Sequence, residues 1–410
     1  MLMTLAWRNI WRNRRRTIIT TGSIAFGLTL AIFFIALGKG MYANLIDQVV
    51  RMQAGHLTIQ HPDYAAAPAV DLYVTGINEM AAEIAAWPET EAVKILIQGQ
   101  GIAKSGEGNV AAALIGIQPS KEKGVSPFAR SLMEGAYLND DDLRKVVIGV
   151  EMAEKLDLAV GKKLVLSTNN ADGDLVQELM RVKGIYQTGS EEMDAFFVQM
   201  TSGFGRKLFG LPENTATRIG VVLKQAEDMD LIRGRIEQLL TGSATVLRWE
   251  EVMPDISSWI KLDQGSNYVF QLILLILILF TIFNTILMSV IERQREFALL
   301  LAIGTKPGQL RAQIFIESLF LGLLGCAAGI IGGTLVSYAV SVYGIDMRRW
   351  LEEGFAVSGY MMDPVLRTKV TLGVVFGASA IVLIATLLFC LFPARRAANV
   401  NITDTLRAAG

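Results

Sequence analysis

The sequence predicts an α-helical membrane protein with four transmembrane helices plus an α+β extracytoplasmic (periplasmic) domain inserted between helices 1 and 2. Three observations predict this fold class. Hydrophobic residues make up 52% of the 410 positions and charged residues only 19%, which is too apolar for an ordinary soluble protein. The chain also contains four uncharged runs of membrane-spanning length. Between the first two runs, short stretches rich in β-branched and aromatic residues alternate with helical patterns.

The four uncharged runs are predicted membrane helices, because each exceeds the roughly 20 helical residues that span a hydrocarbon core. They cover residues 17–38, 264–291, 318–345 and 370–394. Basic residues cluster before the first run and after the second and fourth, so the positive-inside rule places these ends in the cytoplasm. We therefore expect a multi-pass protein of the bacterial inner (cytoplasmic) membrane, with both termini cytoplasmic and the large domain periplasmic.

The flanks of these runs set the predicted boundaries. Trp7 and Trp11 precede the first run one helical turn apart, in either a short helix at the cytoplasmic interface or a positive-inside flank with aromatic anchors. The third run is rich in glycine and alanine, so we expect it to pack inside a helix bundle. The predicted division is a cytoplasmic interfacial segment at 1–16, transmembrane helices at 17–40, 267–291, 313–345 and 370–394, a periplasmic α+β domain at 41–266, a cytoplasmic helix and turn at 292–312, a periplasmic loop at 346–369 and a cytoplasmic tail at 395–410.

The first run has one alternative interpretation, a cleaved signal peptide. Its apolar stretch is longer than the usual signal-peptide core of about 7–15 residues, which favours an uncleaved anchor.

The segment between the first two membrane helices carries the α+β domain. Strands are predicted from Val-, Ile- and Phe-rich stretches bounded mostly by Gly, Asn, Asp or Ser, and helices from apolar residues at helical spacing. The predicted strands are 56–60, 110–117, 163–167, 179–187, 195–200 and 218–224. The predicted helices are 78–87 and 228–240. At roughly 220 residues the domain is large enough for two lobes.

Residues suited to catalysis or metal binding are scarce. The phosphate-binding pattern G-x-x-x-x-G-K-[ST] and the G-x-S-x-G pattern are both absent. His56 and His61 are the only histidines, without a cysteine or acidic cluster spaced for a metal, and Cys326 and Cys390 lie inside apolar runs. The net charge of −1 offers no basic field for nucleic acid. We therefore predict no catalytic residue, no metal site, no cofactor in this chain and no nucleic-acid partner.

The most informative stretch begins at the cytoplasmic end of the second run. The charged residues Glu292, Arg293 and Glu296 precede an apolar stretch, which ends in a break between Gly304 and Gly308. This pattern is typical of a short amphipathic helix and turn at the membrane surface. A solvated connecting loop is the alternative.

The same stretch matches the pattern E-R-x-x-E-x-x-x-L-x-A-x-G. The matching residues are Glu292, Arg293, Glu296, Leu300, Ala302 and Gly304. Further segments match in the same order along the chain: 116–119, 134–138, 148–149, 156–161, 184–189 and Asp194 in the outer domain, and Pro393, Arg396, Ala397, Ala398, Leu406 and Arg407 near the end. On these residues the chain resembles the FtsX/MacB-like ABC transporter permease superfamily, and is most similar to its lipoprotein-releasing (Lol-type) permeases. Two departures are Leu301, where Arg or Lys is usual, and Ile402, where proline is common.

The resemblance implies that the cytoplasmic stretch is a coupling helix, which docks in a groove of a separate ATPase. The residues implied in ATPase coupling are Glu292, Arg293, Glu296, Leu300 and Gly304. The resemblance also implies a dimer with a second permease copy or a related permease, plus two copies of an ABC ATPase subunit that bind ATP and Mg. The other implied partners are membrane lipids, a lipoprotein or lipid substrate and a periplasmic carrier protein.

The mechanism implied by the resemblance is mechanotransmission, in which ATP-driven closure moves the long helices and the outer domain. The implied function is extraction of lipoproteins or other lipidic substrates from the outer leaflet of the inner membrane. Two alternatives stay open. One is an FtsX-like regulator of periplasmic cell-wall hydrolases, and the other is MacB-like efflux of peptides or drugs.

Apolar and aromatic residues near the outer ends of the first two runs are candidates for a substrate cavity that receives acyl chains. Ordinary lipid-facing or helix-packing roles are the alternative for each. The candidates are Phe33, Phe34, Leu37, Met41, Tyr42, Tyr268 and Phe270. Glu317 lies near the cytoplasmic end of the third run, where an ionisable group is either functional or structural, and we expect a structural role.

Overall fold

The computed structural model describes residues 2–12, 14–52, 55–122, 124–240, 243–347, 356–357, 360–361 and 365–398. Its helices are α1 (Leu2–Arg12), α2 (Arg14–Met52), α3 (Ile77–Ala85), α4 (Pro119–Glu122), α5 (Pro127–Arg130), α6 (Val150–Lys155), α7 (Glu191–Phe196), α8 (Ser202–Phe209), α9 (Met229–Leu239), α10 (Trp249–Val252), α11 (Pro254–Glu292), α12 (Gln294–Ala302), α13 (Pro307–Tyr343) and α14 (Leu372–Ala398). Its strands are β1 (Leu57–Gln60), β2 (Val74–Thr75), β3 (Thr90–Lys104), β4 (Asn109–Ile117), β5 (Leu132–Gly135), β6 (Lys145–Gly149), β7 (Lys163–Asn169), β8 (Leu175–Tyr186), β9 (Phe197–Thr201), β10 (Thr215–Ala216), β11 (Arg218–Leu223), β12 (Thr245–Arg248), β13 (Ile345–Asp346), β14 (Ala356–Val357), β15 (Tyr360–Met361) and β16 (Val365–Leu366).

The chain divides into two compact units. The helical unit comprises Met1–Ala43, Lys261–Met347 and Val365–Gly410, and the α+β unit comprises Asn44–Ile260 and Arg348–Pro364. Each unit has its own core of buried apolar side chains.

Four helices of the described chain are long and apolar enough to cross a membrane, as predicted. They are α2, α11, α13 and α14. Helices α2 and α11 are longer than the predicted membrane segments 17–40 and 267–291, because no proline inside their polar ends stops the helix.

The segment before the first span is a helix, α1, which packs on α13. Ala6 and Ile10 are buried, and the Trp7 ring meets the Phe320 ring edge to face at 5.5 Å between centroids. This confirms the predicted short helix, while its place at the cytoplasmic interface stays a prediction.

Helix α13 lies inside the helical unit because its glycines admit side chains of α2. A Cβ built on Gly325 would lie 2.6 Å from the Ile24 side chain, and one on Gly329 would lie 2.8 Å from the Leu28 side chain. Since these distances are shorter than any normal carbon contact, the two helices approach more closely than a larger residue allows. The prediction that the third run packs inside a bundle is confirmed.

The α+β unit is built on a sheet whose described strands follow the order β12-β1-β11-β3-β4-β9-β6-β8-β5, with β7 pairing with both β3 and β8. The first part of β3 pairs with β11 and the rest pairs with β4 and β7. The pairings β3-β4-β9-β6-β8-β7 therefore close into a ring. Two of these pairs, β4 with β9 and β6 with β8, are parallel. The sheet thus has two parts that share β3.

Strand β3 is the longest strand described, and it is absent from the strands predicted from the sequence. Gln98, Gly99, Gln100 and Gly101 interrupt the apolar pattern that signals a strand. In the sheet these glycines make room for neighbours, since a Cβ on Gly99 would lie 2.6 Å from the Phe209 ring. Tertiary packing therefore decides the strand.

The strand predicted at 195–200 is wrong at its start. Ala195 and Phe196 are the last residues of α7, and β9 begins at Phe197. Ser190 caps α7 by accepting a hydrogen bond from the Met193 N–H, and a serine at this position is a local signal for a helix start.

The interior of the α+β unit holds paired polar groups as well as apolar side chains. Lys94 and Glu122 form an ion pair of 2.9 Å with side chains only 1% and 4% exposed, and Lys94 also donates to the Arg51 carbonyl oxygen at 2.6 Å. Buried His56 accepts the Leu223 N–H at Nδ1 over 3.1 Å, and burial lowers the pKa of this imidazole.

Some predictions concern residues that lie outside the described part of the chain. These residues are most of the loop at 346–369 and the tail beyond residue 398, including Ile402, Leu406 and Arg407. The P-x-x-R-A-A segment is helical, because α14 continues through Pro393 to Ala398.

Candidate functional site

A break between α11 and α13 forms the stretch that the sequence singled out. Arg293 leaves the helical conformation between α11 and α12, with φ −103° and ψ 11°. Gly304 follows α12 at φ +100°, a conformation that glycine adopts without a steric penalty, and the Thr305 N–H donates to the Leu300 carbonyl oxygen at 3.0 Å. The predicted short helix and turn are confirmed, and the alternative of a solvated connecting loop is wrong.

Helix α12 has one buried side and one exposed side. Phe297 and Ala298 are 1% and 0% exposed, and Phe297 belongs to the apolar core of the helical unit. Leu299 and Ile303 are 57% and 73% exposed. The helix is therefore fixed by one side while the other presents large apolar side chains to its surroundings.

Arg293 ties α12 to the neighbouring helices. Its Nε donates to Glu296 at 3.0 Å and its Nη1 donates to Glu317 at 2.9 Å. The guanidinium lies over the Phe297 ring, 5.0 Å from its centroid. Because the side chain is only 11% exposed, these charge-assisted bonds are largely shielded from water.

Glu317 is the buried residue at which three helices meet. It is 6% exposed, and its Oε2 accepts from Arg293. Its Oε1 accepts from Asn9 of α1 at 2.7 Å and from Gln313 at 3.4 Å. A lone acidic residue at the end of an apolar run was the sequence signal for Glu317. Asn9 gave no such signal, because an amide in an arginine-rich segment is unremarkable by composition.

These bonds link Asn9 through Glu317, Arg293 and Glu296 to Arg12, and the backbone of α1 between Asn9 and Arg12 completes a ring, named here the coupling ring. Glu296 accepts from Arg12 as well as from Arg293. Asn9 and Arg12 are three positions apart on α1 and so lie on the same face. Burial opposes ionisation of Glu296, but the hydrogen bonds and charges of Arg293 and Arg12 outweigh it and hold the pKa of this carboxyl below its ordinary value.

The residues predicted to couple to an ATPase do not all meet. Arg293 and Glu296 belong to the coupling ring. Leu300 is half-buried and packs against the apolar core, while Gly304 is exposed at the turn. Glu292 is exposed and lines a separate cavity with two arginines at the start of α2. Their roles in coupling stay predictions.

A cleft of about 210 Å³ opens between α2, α11 and α14, and its lining is mostly apolar. A smaller pocket of about 140 Å³ shares Ile35, Tyr268 and Gln271 with the cleft. The lining of the cleft includes Leu272, Leu275, Ile278, Ile381 and Val382. The pocket adds Lys39, Tyr42, Gln264 and Asn267. The lining is thus almost wholly apolar in the cleft and includes more polar side chains in the pocket.

Two of the predicted cavity residues are tyrosines that line the cleft or the pocket. Tyr268 belongs to both the cleft and the pocket, and Tyr42 belongs to the pocket. Tyr42 is 8% exposed and its hydroxyl donates to Asp263 at 2.5 Å. The bond ties α2 to α11 beside the pocket.

The other predicted cavity residues line neither the cleft nor the pocket. The Phe34 ring meets Phe270 edge to face at 5.5 Å and Phe33 at 5.4 Å between centroids, so these rings pack on one another. Leu37 and Met41 are half-buried on α2. On α2 the cleft is lined by Ala31 and Ile35 instead.

Two family models match the chain. The MacB-like periplasmic core domain matches residues 17–239, and the FtsX-like permease C-terminal domain matches residues 268–402. The chain therefore belongs to the FtsX/MacB-like permease superfamily, and the resemblance drawn from its motifs is confirmed.

Individual relatives match along most of the chain. An uncharacterised ABC transporter permease of Methanocaldococcus jannaschii is 25% identical over 99% of this chain and 97% of its own length. The lipoprotein-releasing system transmembrane protein LolC of Xylella fastidiosa is 24% identical over 94% of this chain and 92% of its own length. The pyoverdine export ATP-binding/permease protein PvdT of Pseudomonas syringae pv. syringae is 26% identical over 97% of this chain but 57% of its own length.

These findings define an ABC transporter permease of the FtsX/MacB type, with four candidate membrane helices and a periplasmic-type α/β domain. Permeases of this family work with an ATPase. The membrane helices together with the relatives indicate a protein of the bacterial inner membrane.

Proposed function

We propose that this chain is the membrane subunit through which a separate ABC ATPase drives transport, and that the ATPase docks on α12. The observation that carries the proposal is the exposed apolar side of α12, formed by Leu299 and Ile303. Because the opposite side is held by Phe297 and Arg293, the helix presents these side chains as a rigid projection. Such a projection suits a hydrophobic groove in a partner protein.

Apolar burial should dominate the affinity at this surface. Full burial of Leu299 or Ile303 contributes about 1.5–3 kcal/mol for each side chain. The exposed charge of Arg295, one helical turn before Leu299, favours the correct partner and fast association more than affinity.

The docking proposal is tested with two exposed leucines of the helical unit. Leu299→Ser should lower the amount of ATPase that stays bound to the tagged, purified chain roughly tenfold, since about 1.4 kcal/mol of apolar contact corresponds to that factor. Leu262→Ser is the matched control, because Leu262 is 74% exposed and lies outside α12. Equal retention of the ATPase by both variants would refute docking on α12.

We further propose a dimer with a second copy or a related permease, two ATPase copies that bind ATP and Mg, and cytoplasmic termini. The exposed apolar side of α11 supports an intramembrane partner: 22% of its most apolar stretch is buried within the chain, against 44% for α13. The mass of the complex in lipid nanodiscs gives the copy numbers directly. A single permease copy would overturn the dimer.

For the substrate, we propose a lipoprotein or another lipidic molecule, extracted from the outer leaflet by movement of the α+β domain, which would face the periplasm. The apolar cleft and the more polar pocket around Tyr268 suit an amphiphile with an acyl chain and a polar head. An acyl chain that leaves a bilayer loses about 0.8 kcal/mol per CH₂ group, so a transporter must offer apolar lining in exchange. Similarity to LolC over most of both chains supports the same choice.

A second candidate is export of a peptide or another amphiphile, because 97% of the chain also matches 57% of a pyoverdine export ATP-binding/permease protein. Mass spectrometry of the proteins and lipids that copurify with the chain separates the two. An ATPase with a lipoprotein, alone or with a periplasmic carrier, supports extraction, and an ATPase with a periplasmic adaptor supports export. The absence of any ATPase would refute both.

A further inference from the structure

Helix α1 is hydrogen-bonded to α12 and α13, although the proposed function assigns no role to α1. Two of its side chains enter the coupling ring, and they bind carboxyl groups on two different helices. Asn9 donates to Glu317 of α13, and Arg12 donates to Glu296 of α12. Because Arg293 bridges both carboxyl groups, α12 cannot shift away from α1 without breaking at least one of these bonds.

We propose that Asn9, Arg12 and Glu317 are positioning residues for ATPase coupling, and that α1 and α12 move as one lever when the ATPase closes. The inference rests on the proposed function, since it takes α12 as the docking element. It adds that displacement of α12 is passed through the ring to α1 and α13. Without the ring, α12 would tilt on its buried apolar side without moving α1 or α13.

The burial around the ring makes this joint stiff. Glu317 is almost completely buried, and Ile10 is 1% exposed where α1 packs on the helical unit. Arg16, Arg293 and Glu317 also line a small, partly open space of about 20 Å³, which is the room of a single water molecule. Removal of the Glu317 charge would leave Arg293 with little exposure and without this partner, so the buried half of the ring resists opening.

The ring has an exposed member that can be changed without disturbing the core. Arg12 and Arg8 lie one helical turn apart on α1, both exposed and both positively charged, and Arg8 takes no part in the ring. Arg12→Gln and Arg8→Gln therefore remove the same charge from the same helix. They form a matched pair in which only one variant opens the ring.

The experiment uses the full chain in lipid nanodiscs, titrated with the ATPase that copurifies with it. Two quantities are measured: the maximal rate of ATP hydrolysis at saturating ATPase, after the rate of free ATPase is subtracted, and the ATPase concentration at half-maximum. A positioning role lowers the maximal rate, whereas loss of a docking contact raises the half-maximal concentration. Thermal unfolding of each variant provides the folding control.

We expect Arg12→Gln to lower the maximal rate about threefold, as suits one exposed ion pair in a cooperative network. Glu317→Gln should lower it about tenfold or more, because Arg293 then loses a buried charged partner. Asn9→Leu should fall in the same range as Glu317→Gln, and Asn9→Gln, which keeps an amide donor, should recover part of the rate. Arg8→Gln should match the wild type in both quantities.

Equal maximal rates for Arg12→Gln and Arg8→Gln would overturn the inference. An Arg12→Gln effect confined to the half-maximal concentration would overturn it as well, because it would make Arg12 a docking residue. If Glu317→Gln fails to fold, the exposed Arg12 still decides the outcome. A wild-type chain that binds no ATPase would instead refute the proposed function on which the inference rests.

Discussion

The helical unit and the α+β unit fill their interiors in different ways. In the helical unit, glycines of α13 admit side chains of α2, and the charged groups with low exposure gather in the coupling ring at one end. In the α+β unit, ion pairs such as Lys94–Glu122 lie deep between sheet and helix. Lipid supplies neither a hydrophobic drive between helices nor water for a stray charge, so close packing must hold the helices. A domain in water is held by apolar burial and tolerates a buried charge that is paired.

The largest expected effect tests whether the stability of the α+β unit depends on each buried charge having an oppositely charged partner. Lys94→Met should destabilise this unit by about 3–5 kcal/mol, because Glu122 would remain buried without a partner. The double variant Lys94→Met with Glu122→Leu should recover most of the loss, since an apolar pair of similar volume has no charge to desolvate. Hydrogen–deuterium exchange of β3 in the full chain measures both.

The control for that pair is an exposed one. Lys162 and Asp157 form an ion pair of 2.7 Å with side chains 51% and 73% exposed. Lys162→Met should therefore cost less than about 1 kcal/mol. A loss as large as that of Lys94→Met would show that burial does not decide the cost.

In the helical unit, side-chain size at the helix contacts should affect stability more than charge does. Gly325→Leu should cost about 3 kcal/mol or more, because its side chain would overlap Ile24 and separate α13 from α2. Gly377→Leu on α14 is the matched control, since no atom lies within 4 Å of a Cβ at that position. Thermal unfolding in nanodiscs compares the two, and similar midpoints would contradict the close-packing account.

His56 should make the α+β unit sensitive to acid. Burial lowers the pKa of His56 below its ordinary value of 6.5, so the unfolded chain takes up the proton before the folded chain does. Stability should be constant well above pH 6.5 and should fall as the pH drops below it, by up to about 1.4 kcal/mol per pH unit until the folded-state pKa is reached.

The check is hydrogen–deuterium exchange of β1 and β11 between pH 5 and 8. His56→Asn should flatten the pH dependence, because an amide oxygen can accept the Leu223 N–H without titrating. His61→Asn should leave it unchanged, since His61 is more exposed and accepts only the nearby Asp63 N–H. A steep acid loss that persists in His56→Asn would reject His56 as its source.

The smallest expected effect concerns the turn after α12. Gly304→Ala should destabilise the helical unit by about 1 kcal/mol through its φ of +100° alone, because no atom lies near a Cβ there. Gly308→Ala, at an equally open position with ordinary φ, should be neutral or slightly stabilising. Equal melting temperatures for the two variants would mean that the turn carries no conformational constraint.

Local patterns in the sequence predicted the elements whose causes are local. The apolar runs that become α2, α11, α13 and α14 and the charged-then-apolar stretch of α12 follow from hydrophobicity and spacing alone. Strand β3 was not predicted, because its glycines and glutamines do not follow the apolar pattern of a strand. Their place in the sheet is set by packing against Phe209 and the neighbouring strands. The sequence also does not show that the phenylalanines predicted for a cavity pack on one another. Ring contacts between α2 and α11 depend on how each helix is rotated about its axis.

The sequence by itself determined the class of the protein, its four apolar helices and the position of α12, because hydrophobicity, charge and motif spacing are properties of contiguous residues. Only the tertiary structure decided the partners in the coupling ring and the lining of the cleft. Asn9 and Glu317 are 308 positions apart, and their hydrogen bond exists because α1 packs on α13. Contacts of this kind depend on how whole helices pack, and no local pattern of residues records them.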